Sequence, residues 1–289
     1  MTRNKIEETL QGLLDRLPGG NKEVCRLGGG LSEAVLVQLE TPTGPQVLKI
    51  QPAAAENDFF TRIAPNHFPD VNWLPVIYES GLEHGYHWLL MEYIPNALAT
   101  DRYNFDQTAL AVLRELHQVF DVMPNQCWED HTWSSEQLSV AEKYLPATTM
   151  TQMYQIYEQY LVRRKTSVSL CIGDPNAPNW LVRDNGEIVL IDWQMVCQDH
   201  IALDLAGWVS NVAPFAALEE IAAIYLGNTS QNSRALAKDF FIFCCRRWTT
   251  NFWRSEISTK PEMWTRANEY MVKRLPGWMD ENVKASGLL

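Results

Sequence analysis

Asp174 and Asn179, five residues apart in Cys171-Ile-Gly-Asp-Pro-Asn-Ala-Pro-Asn179, and Asp192, at the end of the apolar run Ile188-Val-Leu-Ile191, have types and spacing that could do chemistry. Phosphoryl transfer from a metal-bound nucleotide requires one carboxylate to orient the attacking hydroxyl, and an amide and a second carboxylate to hold Mg²⁺. Asp174 would serve the hydroxyl, and Asn179 and Asp192 the metal. Pro175 and Pro178 stiffen the loop and bring the two polar side chains back to one side of the backbone. Trp180-Leu-Val-Arg183 then reads as a short strand, Asp184-Asn-Gly186 as a hairpin turn and Glu187 to Ile191 as the returning strand, which lays Asp192 beside Asn179. An ordinary hairpin with polar ends accounts for any one of these residues, but poorly for the joint pattern.

Strands precede this segment in the chain, and helices lie on both sides of it. Lys5 to Leu17 has apolar residues at a helical period and ends at Pro18-Gly19-Gly20. Val24 to Leu27 and Ala34 to Leu39 read as strands joined by Gly28-Gly29-Gly30-Leu-Ser32, a turn whose backbone N–H groups could approach phosphates, or a tight hairpin needing positive φ. Gln46 to Ile50 reads as a third strand, with Lys49 between apolar neighbours. Such a lysine either faces solvent or points at an anion, because burying it unpaired is costly. Trp73 to Tyr78 and Tyr86 to Ile94 complete an expected five-stranded sheet, separated by Glu79 to Gly85. Beyond Ala97 the pattern is helical, over Phe105–Phe120, Gln137–Tyr144, Met150–Val162, Ala216–Tyr225, Ser233–Phe252 and Trp264–Leu275. His117, on an apolar face, reads as a satisfied structural histidine.

Gly173, Asp174, Asn179 and Ile191-Asp192-Trp193 resemble the His-Gly-Asp-x-x-x-x-Asn and Ile-Asp-Trp motifs of the aminoglycoside phosphotransferase and choline kinase group. Leu113-Arg-Glu-Leu-His117 and Ala202-Leu-Asp-Leu-Ala206 extend the match. Ile172 stands where that group has its loop-buttressing histidine. The resemblance implies an α+β, protein-kinase-like two-lobed fold, with a small β-rich nucleotide-binding lobe over residues 1–94 and a larger, mainly helical catalytic and substrate-binding lobe over 95–289. It directs Lys49 toward the nucleotide phosphates, with Glu56 as its expected helix partner and Asp58 as the competitor. It also places Gly29, Gly30 and Ser32 near the phosphates and the backbone near Glu92 to Ile94 against the adenine. Asp204 is expected to brace the catalytic loop. The implied activity is ATP- and Mg²⁺-dependent phosphorylation of a hydroxyl on a small molecule, either an aminoglycoside-like antibiotic or a metabolite such as choline or ethanolamine. The alternative, motivated by Ile172 and Glu33, is a nucleotide-binding pseudokinase acting through protein partners.

Composition is compatible with this. The 289 residues are 46% hydrophobic and 11% aromatic, enough to bury a sizeable core. No apolar run approaches the roughly 20 residues a bilayer span needs. Met1-Thr-Arg-Asn-Lys5 leads into a charged amphipathic segment rather than a signal peptide, so a cytoplasmic location is expected. The formal charge of −11 argues against nonspecific nucleic-acid binding; it fits a cationic substrate, and equally a solvated acidic surface. Six cysteines lack metal-site or disulfide spacing and read as buried or incidental thiols. Trp193, Trp208, Trp248, Trp253 and Trp264, with nearby acids, could cage an amine, although core packing accounts for most tryptophans at helical positions.

Overall fold

A computed structural model of the chain describes residues 2–17, 22–27, 34–99, 106–120, 133–166, 168–209, 212–227, 232–258 and 262–289. The chain divides into two compact units, Met1–Leu98 with Pro178–Val196, and Ala99–Ala177 with Cys197–Leu289. A boundary at 94/95 therefore differs from this division in two places. Asn96-Ala97 pairs with Leu181-Val182, and Leu98 N–H donates to Trp180 O, so residues 95–98 and the 178–196 hairpin group with the first unit.

The first unit begins with α1 (Thr2–Arg16) and an antiparallel sheet of β1 (Lys22–Leu27), β2 (Val35–Thr41) and β3 (Gly44–Gln51). After β3 come α2 (Ala55–Asp58), a π-helical turn (Phe59–Ile63) and α3 (Ala64–His67), and the sheet is completed by β4 (Ile77–Glu83) and β5 (Tyr86–Glu92), in the order β1-β2-β3-β5-β4. The expected five strands are present. The fourth, however, starts at Ile77 rather than Trp73 and runs to Glu83, because His84 and Gly85, both at positive φ, close a two-residue turn that lets Glu83 pair with Tyr86. Trp73 is instead buried, and its carbonyl accepts from Leu190 N–H. Ile6, Leu10, Leu13 and Leu17 pack against Val37, Leu39, Leu48, Ile50, Trp88 and Leu90, which fills one face of the sheet. On β4, a Cβ at Gly81 would come within 2.8 Å of the cross-strand Trp88 ring, so that position admits only glycine without repacking.

Beyond β6 (Asn96–Ala97) the second unit contains α4 (Gln107–Leu116), α5 (Ser135–Ala141), α6 (Ala147–Arg163) and β7 (Val168–Cys171). The chain returns to the first unit for β8 (Trp180–Val182) and β9 (Ile188–Leu190). It then completes the second with β10 (Cys197–His200), α7 (Ala202–Trp208), α8 (Phe215–Tyr225), α9 (Ser233–Ile257) and α10 (Glu262–Ser286). Asp106 caps α4 by accepting from Thr108 and Ala109 N–H, and Ser134 with Gln137 forms a capping box on α5. Phe240 to Arg246 are all buried, as expected of a central helix enclosed on all sides. α10 runs on past Pro276 because Met271, Leu275, Trp278, Met279 and Val283 continue one buried stripe, which offsets the hydrogen bond that the proline forgoes. No helix among the described residues is long and apolar enough to cross a membrane.

Candidate active site

Strand alternation decides where Lys49 points. Leu48 and Ile50 enter the α1 core, so Lys49 and Gln51 project from the opposite face of β3. There Lys49 Nζ lies 2.6 Å from Glu56 Oε2 and donates to Asp192 Oδ1 at 2.7 Å. Lys49 and Glu56 are 4% and 1% exposed, while the Asp192 side chain is 41% exposed. Burial opposes the ammonium, but the charges of Glu56 and Asp192 outweigh it and hold the Lys49 pKa above its ordinary value. Glu56, not Asp58, is the partner. Its carboxylate also accepts from Gln51 Nε2 and from Trp193 N–H, each at 3.0 Å, which ties the lysine to the backbone just beyond Asp192.

The hairpin that delivers Asp192 follows from its turn. Gly186, at φ 88°, donates to Arg183 O, and Glu187 N–H is taken by Asn185 Oδ1, so β8 and β9 pair Trp180 with Leu190. One residue on, Ile191 N–H donates to Asn179 O at 2.9 Å, bringing the expected pair of metal-ligand residues onto neighbouring backbone positions. Asp192 sits in the left-handed region, at φ 63°, a conformation non-glycine residues hold chiefly where the surroundings impose it. Here Trp193 imposes it: buried, it stacks on Phe59 at 3.9 Å and donates to Leu190 O. A carboxylate with solvent access and an adjoining amide residue are hard oxygen donors of the kind Mg²⁺ takes, and the buried lysine beside them suits an anionic phosphate. The donor set therefore fits Mg·nucleotide.

Arg183 was not singled out from the sequence. Its guanidinium donates to both Glu92 oxygens, at 2.7 and 2.8 Å, and to the carbonyls of Asn72 and Leu74. The Glu92 side chain is thus an anchor for the hairpin. Although partial burial raises the Glu92 carboxyl, the Arg183 bonds bring it below its usual range. Ile94 is buried. Gly29, Gly30 and Ser32 lie outside the described residues.

The second unit carries Asp174. β7 leads into the loop, and Asp204, fully buried on α7, accepts from Ile172 N–H at 2.9 Å and Gly173 N–H at 2.8 Å. Its Oδ2 also accepts from His117 Nε2 at 3.0 Å, and His117 Nδ1 meets Tyr225 Oη at 2.8 Å. Asp204 braces the loop and His117 braces Asp204. Gly173, at φ 84°, makes the turn into Asp174. Ile172 is fully buried, so an apolar side chain occupies the position while its backbone N–H keeps the brace. The ligand atoms of His117, Cys171 and Asp204 lie within 4.8 Å of one another. Both Asp204 oxygens are committed to the loop, however, and burial pushes the Cys171 thiol up, which suits a brace and not a metal. Trp193 and Trp208 are completely buried, which removes both from any amine cage.

A sequence profile of the phosphotransferase enzyme family matches residues 23–238. The chain belongs to that family. No curated protein matches it. Among solved structures, a spectinomycin phosphotransferase in complex with ADP and spectinomycin is 13% identical, with 98% of each chain covered and a TM-score of 0.67. A choline kinase from Cryptosporidium parvum Iowa II is 12% identical, also with 98% of each chain covered, at a TM-score of 0.60. An ethanolamine kinase from Plasmodium vivax is 12% identical, with 91% of this chain and 81% of that chain covered and a TM-score of 0.52. The fold is accordingly the protein-kinase-like one, with a β-rich first unit and a mainly helical second, and this family member is a phosphotransferase.

Proposed function

We propose that this phosphotransferase moves the γ-phosphoryl group of ATP, in a Mg²⁺-dependent reaction, to a hydroxyl of a small molecule. The observation that carries the reading is the buried Lys49 cation held between Glu56 and the solvent-accessible Asp192. A charge kept at 4% exposure is costly unless it is paired, and pairing it through a carboxylate open to solvent leaves it beside a place where phosphate and metal can enter. The first unit, residues 1–98 with 178–196, would form the nucleotide-binding lobe, with Gly29, Gly30 and Ser32 near the phosphates and the Glu92 to Ile94 backbone at the adenine. The second, residues 99–177 with 197–289, would form the catalytic and acceptor-binding lobe. Asn179 and Asp192 would hold Mg²⁺, which when bound neutralises charge on the phosphate oxygens. Lys49 orients those oxygens, and Asp174 takes up the proton of the acceptor hydroxyl as it attacks.

ADP in a similarly folded spectinomycin phosphotransferase supports the nucleotide. For the acceptor, a small cationic or polyhydroxylated alcohol fits the similarly folded proteins, which include a spectinomycin phosphotransferase, a choline kinase and an ethanolamine kinase. A cytoplasmic location, where ATP is available, completes the reading. The pseudokinase alternative draws on Ile172, and the Asp204–His117 brace weakens it, since the loop is held through backbone N–H groups that any residue but proline at 172 supplies. The test is transfer of labelled γ-phosphate from ATP to a panel of choline, ethanolamine and aminoglycosides, with Asp174→Asn as the blank. Labelling of one acceptor class by the native chain only is expected. Binding of Mg·ATP with no transfer to any member, and no ATP hydrolysis above the blank, would favour the pseudokinase.

A further inference from the structure

Arg247, on the enclosed helix α9, reaches the catalytic loop. One end of its guanidinium, Nη1, donates to Ala206 O, Gly207 O and Val209 O at 2.6, 2.8 and 2.9 Å, the carbonyls that close the C-terminal end of α7. The other end, Nη2, donates to Asn176 Oδ1 at 2.7 Å, and Asn176 Nδ2 donates to Asp174 Oδ1. Chemistry fixes the direction of this chain. A guanidinium only donates, a carboxylate only accepts, and the amide between them has one group for each. Pro175 packs so closely on α7 that a Cβ at Gly207 would come within 2.7 Å of its Cδ. The loop is therefore held at Ile172 and Gly173 by Asp204, at Pro175 by α7 and at Asn176 by Arg247, and the Asn176 amide bears on the carboxylate between these anchors.

We infer that Asn176 and Arg247 are positioning residues for Asp174: Arg247 fixes the Asn176 amide, and the amide fixes the rotamer and plane of the carboxylate that receives the acceptor's proton. The inference rests on the role proposed for Asp174. The planar fork of arginine spans α7 and the loop at once, which the single ammonium of a lysine cannot do. Orientation of a general base matters steeply, because small displacements from the attack geometry cost large factors in rate.

The experiment measures ADP formation by the full-length chain from Mg·ATP, with water as acceptor, for Asn176→Ala, Asn176→Asp and Arg247→Met, each alone and combined with Asp174→Asn. Melting temperature is followed in parallel. Asn176→Ala and Arg247→Met are expected to lower kcat by about tenfold or more, with KM for ATP within about threefold, and to add less than about twofold once Asp174→Asn is present. Asn176→Asp still accepts from Arg247 but sets a second carboxylate against Asp174, so kcat should fall at least as far as for the alanine and the acidic limb of the pH–rate profile should move to higher pH, an outcome that loop anchoring alone does not give. If both Asn176 variants retain kcat within about twofold of native while Asp174→Asn loses it, the positioning role is wrong and the role of Asp174 stands. If Asp174→Asn itself retains native kcat, that role fails and the inference with it. Should Arg247→Met not fold, the two Asn176 variants decide the matter.

Discussion

Lys49 is a buried cation held between two carboxylates, Glu56 and Asp192. Removing it by Lys49→Met leaves Glu56, at 1% exposure, without its cation, and a loss on the order of 3 kcal/mol in urea-denaturation stability is expected. Unchanged stability would mean that the pair is not formed in solution. Asp192 differs, because the side chain is 41% exposed and Lys49 keeps Glu56 without it. Asp192→Ala should stay within about 1 kcal/mol of native stability yet abolish Mg·ATP-dependent turnover, and full turnover at saturating Mg²⁺ would remove Asp192 from the metal site. Ile172 was legible as a departure from the group's motif and Asp204 as the brace of its loop; that His117 stands behind Asp204 was not, since 87 residues separate them. Ile172→His places an imidazole at a fully buried position, at a cost of about 1–3 kcal/mol if it finds no partner. No gain in kcat is expected. A rise of about tenfold, worth about 1.4 kcal/mol of barrier, would mean that the native loop is a weakened one.

At the scale of elements, the hairpin of β8 and β9 was readable because Asp184-Asn-Gly186 is a local signal, set by the φ that Gly186 must adopt. What anchors the hairpin was not readable, since Arg183 and Glu92 lie 91 residues apart and nothing local marks them as partners. The same holds for Arg247 and Asn176, separated by 71 residues. The start of β4 was misplaced for a local reason of another kind: Trp73-Leu-Pro-Val-Ile-Tyr78 has strand-like composition, but the positive φ at His84 and Gly85 moves the turn later. The Glu92–Arg183 pair makes a pH-dependent prediction. Because Arg183 holds the Glu92 pKa below its ordinary value, the pair's contribution is present above the usual glutamate range, near pH 4.3, and is lost as pH falls through the lowered folded-state value. Glu92→Gln should therefore cost about 1–3 kcal/mol at pH 7, a difference that closes on acidification below pH 4. A gap independent of pH would show that the charge is not what matters.

For the molecule as a whole, strands and helical stripes were legible because their signals are local and periodic, whereas the α+β, kinase-like plan was legible through the resemblance carried by Gly173, Asp174, Asn179 and Ile191-Asp192-Trp193. The division between units was less so, because pairing of Asn96-Ala97 with Leu181-Val182 gathers 178–196 into the first unit, and such pairing is a tertiary fact with no sequence period. Of the expected site residues, Lys49, Glu56, Asn179 and Asp192 are brought together in the first unit and Asp174 is braced in the second. In the proposed reaction these residues carry out phosphoryl transfer, with Asp174 acting on the acceptor and not on the nucleotide. The most direct measurement is single-turnover ADP formation from Mg·ATP by the native chain and by Asp174→Asn, with ATP affinity measured on the same samples. Asp174→Asn is expected to bind ATP within a small factor of native and to be slower by on the order of 10² or more. A variant that loses ATP affinity while turning over bound ATP at the native rate would contradict that role of Asp174.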